Sequence, residues 1–96
     1  MSKYYFAAAS EKFLLFQEPI EEILRERTNY YKFFNKPIDF WLLKDSELSN
    51  YPEVLKIKET LKVPVAAIIS TNEAFIIWLK LRCSFVVVGT LIYERV

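Results

Sequence analysis

Four glutamates, Glu18, Glu21, Glu22 and Glu26, crowd one stretch of this sequence. Glu18, Glu22 and Glu26 recur at the i,i+4 spacing that brings side chains to one face of a helix. Di-metal helices of the ferritin type share that spacing, but their sites also need histidine in a Glu-x-x-His arrangement. The chain has no His. The glutamates therefore read as acids that favour a helix N-terminus and pair with Arg25. The missing imidazole also removes a general base near neutral pH, an activator for Cys83 or a serine, and the usual ligand for zinc, haem or non-haem iron. Cys83 follows Arg82, whose charge would lower a thiol pKa. A helix C-terminus acts in the opposite sense, and the chain holds no second thiol for redox cycling. Cys83 reads as structural and partly buried. A single Gly excludes a Gly-rich phosphate loop, and no CxxC, HExxH or GxSxG occurs. Lys, Tyr, Asp and Glu remain as the plausible proton carriers. No catalytic, cofactor-binding or metal-binding residue is expected, and the chain does not read as an enzyme.

The residues that stand out suit binding better. Asp39, in an expected strand Ile38–Leu43, would share a sheet face with Trp41 and Leu43. A carboxylate there must be solvated or paired. Arg27 and Arg82 are the two arginines that interrupt apolar surfaces. An Asp–Arg contact within the fold is one reading. The alternative is a docking surface carrying Asp39, Phe40, Trp41 and Arg82, since aromatics and Arg are enriched at interface hot spots. The segment Asn72–Cys83 poses the same choice. Ala74, Phe75, Ile76, Ile77, Trp78, Leu79 and Leu81 surround the helix axis, interrupted by Glu73, Lys80 and Arg82. Such a helix is either buried on both sides or leaves apolar surface for a partner.

The elements that must position these residues follow from local pattern. Tyr4–Ala9 is an unbroken apolar strand. Glu18-Pro19 is a helix-start signal, opening a helix over about Pro19–Phe34 with Ile20, Ile23, Leu24, Tyr31 and Phe34 on one face. Phe13–Phe16 is too short to classify. A second helix is expected over Pro52–Leu61, a third strand over Val65–Ile69, and a capping box at Ser70-x-x-Glu73. Strand Phe85–Tyr93 closes the chain, with a bulge expected at Gly89. The order βαβαβαβ suits one domain over residues 1–96, a four-stranded sheet with helices against it. Short connections allow antiparallel pairing, and strand order is not legible.

Composition sets the outer limits. With 13 Lys+Arg against 12 Asp+Glu, no basic field exists for phosphate contacts, so no nucleic-acid partner is expected. The longest apolar runs, Val63–Ile69 and Ala74–Leu79, are far short of the ~20 residues of a spanning helix. Met1-Ser2-Lys3 leads directly into Tyr4-Tyr5-Phe6, leaving no room for a signal or transit peptide. The expectation is a protein that works where it is made. Phe, Tyr, Met, Ile, Asn and Lys outnumber Gly, Ala, Arg and Pro by 37 to 15, as in an AT-rich genome, and a plastid fits that bias.

Four blocks then become recognisable in order: Glu18-Pro19-Ile20-Glu21-Glu22-Ile23-Leu24-Arg25-Glu26-Arg27, Asp39-Phe40-Trp41-Leu42, Ala67-Ile68-Ile69-Ser70-Thr71-Asn72, and Phe75-Ile76-Ile77-Trp78-Leu79-Lys80-Leu81-Arg82. Together they resemble the hypothetical chloroplast reading frame fifty-four family, also called low-chlorophyll-accumulation protein A, from Tyr4 to about Gly89. The resemblance implies a small α+β domain with a mainly antiparallel sheet and flanking helices. It also implies a non-catalytic accessory or assembly factor of the magnesium-protoporphyrin IX monomethyl ester oxidative cyclase, the enzyme that forms protochlorophyllide in chlorophyll biosynthesis. The implied partner is the membrane-associated di-iron catalytic subunit, with Asp39, Phe40 and Arg82 as partner-binding residues. No cofactor is implied for the chain itself. Location would be the chloroplast, in the stroma or on the thylakoid (the cytoplasmic face of the thylakoid in a cyanobacterium), with membrane association indirect through the partner. A tetrapyrrole-binding carrier serving the cyclase is the alternative function.

Overall fold

A strand that is apolar at every position is stable only when both of its faces are covered. The computed structural model, which describes residues 2–17, 20–83 and 86–93, meets that requirement with three layers. Strand β1 (Ser2–Ser10) leads through a π-helical turn, Phe13–Gln17, into helix α1 (Ile20–Phe33). Strand β2 (Phe40–Leu43), a 3-10 helix (Asp45–Asn50), helix α2 (Pro52–Leu61) and strand β3 (Val65–Ser70) follow. Helix α3 (Glu73–Arg82) and strand β4 (Val87–Tyr93) complete the order. The four strands pair antiparallel in the order β2-β3-β1-β4. Connection α1 carries the chain from β1 to β2 across β3, and α3 carries it from β3 to β4 across β1. These are two interlocked split βαβ units, with α2 filling the β2–β3 link.

The layers explain the side-chain choice. On the front face Ala7, Ala9, Ala66 and Ile68 meet Leu24, Phe75, Ile76 and Leu79. Alanines there let α1 and α3 approach the sheet closely. On the back face Phe6, Ala8, Val65, Ala67 and Ile69 meet Leu48 of the 3-10 helix and Val54 of α2. β3 is covered from both sides and is buried at all six positions. Asp45 ties the back layer together: its carboxylate accepts from the Val65 N–H at 2.9 Å and from Lys58 at 2.8 Å.

Several local expectations are corrected. The expected capping box does not form; Asn72 is the N-cap of α3, its Oδ1 accepting from the Phe75 N–H at 3.2 Å. Ser70 Oγ instead accepts from the Asn72 N–H and donates to the Asp39 carbonyl, each at 2.9 Å. Gly89 is no bulge, because the β1–β4 register runs unbroken through Phe6↔Gly89. Its reason is space: a Cβ there would stand 2.7 Å from Cζ of the Phe6 ring. Phe34, expected on the buried stripe of α1, lies one residue past the helix and is exposed. The helix ends in a Schellman motif, with Asn35 at φ 54° and the Lys36 N–H donating to the Tyr31 carbonyl at 2.9 Å. Ile38 and Asp39 precede β2 rather than lying in it. Glu18-Pro19 and Phe85 lie outside the described residues.

Candidate functional site

α3 is held to the sheet by one side alone. Phe75, Ile76 and Leu79 point into the front core, and Cys83 is buried just beyond them. The opposite stripe, Ala74, Ile77, Trp78 and Leu81, follows i, i+3, i+4, i+7 spacing and is exposed, Leu81 at 79%. The helix is therefore not buried on both sides. Of its polar interruptions, Lys80 belongs to the fold, donating from Nζ to the Val86 carbonyl at 2.8 Å. Arg82 is exposed, with its guanidinium carbon 5.9 Å from the Trp78 ring centroid. It makes no ion pair among the described residues.

Asp39 sits at the other end of α3. Its carbonyl accepts from Ser70 Oγ and from the Thr71 N–H at 3.1 Å, just ahead of the first residue of the helix. Ten helical residues separate that point from Arg82, or about 15 Å of helix axis. Asp39 and Arg82 are therefore no ion pair. The carboxylate lies outside the strand alternation and so reaches α1 on the front side, where Oδ1 accepts from the Tyr31 hydroxyl at 2.9 Å. The Tyr31 oxygen in turn accepts from Arg27 Nη2 at 2.9 Å. Arginine can only donate and an ionised carboxylate can only accept, so the hydroxyl proton must face Asp39. Burial and the bond to Asp39 push the Tyr31 pKa up, against the opposing pull of Arg27. Asp39 and Arg27 are thus linked only through the Tyr31 hydroxyl, and the direct Asp–Arg contact expected on one reading does not form among the described residues.

Phe40 requires a correction. The expectation placed it on a docking surface as an apolar anchor, yet it is 5% exposed. As the first residue of β2, paired with Ser70, it faces the front layer. There its ring meets Tyr31 edge-on at 5.4 Å and Phe75 at 5.7 Å between centroids. Arg27 completes the cluster, its guanidinium carbon 3.8 Å from the Phe75 centroid and 5.7 Å from that of Phe40. Phe40 can influence a partner only by setting where Asp39 and α3 stand. Trp41 faces the back layer, edge-on to Tyr4.

A groove of about 510 Å³ runs between α1 and α3, lined by Ile23, Glu26, Arg27, Tyr30, Phe75 and Trp78 among others. It joins the exposed stripe of α3 to the outer side of α1. Arg27 was legible as an interruption of the α1 stripe and a candidate contact for Asp39, but not as a partner of Tyr31. The i,i+4 spacing of Arg27 and Tyr31 was the available signal. Among the described residues, no group of three or more His, Cys, Asp or Glu side chains could hold a metal ion.

Comparison with known proteins agrees with this architecture. A family model described as "Ycf54 protein" matches residues 2–92. "Uncharacterized protein ycf54" of Porphyra purpurea is 52% identical over 89 residues, covering 93% of this chain and 82% of its own. "Protein YCF54, chloroplastic" of Arabidopsis thaliana is 39% identical over 83 residues, 84% of this chain and 38% of that one. The solved structure of the Ycf54 protein from Synechocystis sp. PCC6803 superposes with a TM-score of 0.80 at 43% identity, covering 99% of this chain and 90% of that chain. The expected α+β fold and the resemblance are both met, and the chain belongs to the Ycf54 family.

Proposed function

We propose that this chain is a non-catalytic accessory or assembly factor of the magnesium-protoporphyrin IX monomethyl ester cyclase, acting in the chloroplast by binding the di-iron catalytic subunit. The observation that carries the reading is the outer stripe of α3. Ile77, Trp78 and Leu81 are exposed beside a guanidinium that makes no ion pair among the described residues. An apolar stripe with an aromatic and an arginine is the make-up of an interface centre. The Asp39 carbonyl accepts from Ser70 Oγ and the Thr71 N–H just ahead of the helix and so anchors its other end. The chloroplast location rests on the name of the Arabidopsis relative and on the plastid-like composition.

The carrier alternative has the groove in its favour, but its one lining cation, Arg27, is already committed to Tyr31 and the Phe75 ring. Co-purification of the tagged chain with the di-iron subunit from photosynthetic membranes tests the main reading. Arg82→Ala and Leu81→Glu are expected to lose the subunit while melting as cooperatively as the wild type. Undiminished capture by both variants would refute it.

A further inference from the structure

At the C-terminal end of α1 three aromatic rings stand exposed to solvent. Phe33 is 82% and Phe34 54% exposed, and Tyr30 is exposed as well. They touch one another, Tyr30 to Phe34 at 4.7 Å and Phe33 to Phe34 at 5.0 Å between centroids. The Schellman turn at Asn35 and the following Pro37 fix this tip, and Ile38 beyond it is also exposed. Apolar surface of this kind marks a contact site.

Charge and shape identify what fits. Lys32 and Lys36 are exposed among the rings, and Thr28–Ile38 contains no Asp or Glu. The α1 carboxylates Glu21 and Glu22 lie in the first turn of the helix, and Glu26 lines the α1–α3 groove one turn before Tyr30. The nearest acid in sequence, Asp39, is taken up by Tyr31. Phe33 and Phe34 protrude rather than line a groove, and a protein partner would need a pocket shaped to receive them. A lipid bilayer receives a protruding aromatic tip without shape complementarity, its anionic headgroups matching the lysines. No described helix is long and apolar enough to cross a membrane, so contact would be interfacial.

We propose that the Tyr30–Ile38 tip is a direct docking site for an anionic membrane surface. This departs from the expectation of attachment solely through a partner, and it does not rest on the proposed cyclase role. The test is flotation of the purified full chain with vesicles of phosphatidylcholine, with and without phosphatidylglycerol, at low salt. The wild type is expected to float with the anionic vesicles and to lose binding as salt is raised. Each lysine near such a surface contributes about fivefold to partitioning, so Lys32→Gln with Lys36→Gln should weaken it roughly 25-fold. Phe33→Ser with Phe34→Ser should weaken it at least tenfold with an unchanged melting curve, since both rings are exposed. Wild-type protein that stays unbound, or a serine variant that floats as well as the wild type, overturns the proposal. So does a tip that drives self-association lost in the serine variant, without vesicle binding.

Discussion

Tyr31→Phe removes a single oxygen and leaves the ring, so it isolates the relay from the packing around it. The hydroxyl accepts from Arg27 and donates to Asp39, each at 2.9 Å, and the tyrosine is 2% exposed. A hydrogen bond to a charged group contributes about 1.5–3 kcal/mol when its partner is left buried. Asp39 and Arg27 are only half-buried, and water can satisfy part of what each loses. The net cost should be about 2 kcal/mol, or roughly 8–16 °C in Tm for a domain of this size. A second signature comes from pH. The folded-state pKa of Tyr31 is raised above its ordinary 10.0. Above that ordinary value the unfolded chain releases a proton that the native state keeps. This contribution is therefore complete below pH 10 and fades as pH rises through the folded pKa. Urea denaturation across that range should show the wild-type advantage over Tyr31→Phe shrinking as the solution becomes alkaline. A cycle with Asp39→Ala should show coupling of at least about 0.5 kcal/mol. Additive single variants, or a Tyr31→Phe loss under about 0.5 kcal/mol, would refute the relay as a stabilising unit.

Gly89→Ala should destabilise by about 1–3 kcal/mol through overpacking, because the new methyl would meet Phe6 at 2.7 Å. Chemical denaturation should show Phe6→Leu recovering part of that loss in the double variant. Asp45→Asn should lower stability at neutral pH by about 1 kcal/mol, allowing for the partial exposure of the pair. The hydrogen bond from Lys58, followed by that from the Val65 N–H, holds the Asp45 pKa below its ordinary 3.8. That stability is present above the unfolded value and lost as pH falls through the folded one, so the gap between wild type and variant should close in acid.

Particular residues show where sequence reading succeeded and why it stopped. Helix α2 occupies its expected Pro52–Leu61, because Pro at the first helical position and the apolar spacing are local signals. β1 and β3 were legible as unbroken apolar runs. That continuity did encode two-sided cover, but a run carries no record of which helix lies on which face. Gly89 illustrates a different limit. Its single hydrogen side chain is required by a ring on another strand, which local pattern attributes to a bulge. Phe40 failed for a related reason: an aromatic beside an acid looks the same whether the chain turns it inward or outward.

Composition alone settled that these 96 residues carry no imidazole, no Gly-rich loop and no second thiol, since a count of residue types needs no structure. Periodicity likewise determined most of the elements, because helices and strands are set by neighbours within a few residues. Strand order, the burial of Phe40, the opening of one side of α3 and the Arg27–Tyr31–Asp39 relay were decided only in three dimensions. Each depends on groups brought together from separate elements, and the free energy of such contacts arises from proximity that the order of residues does not state.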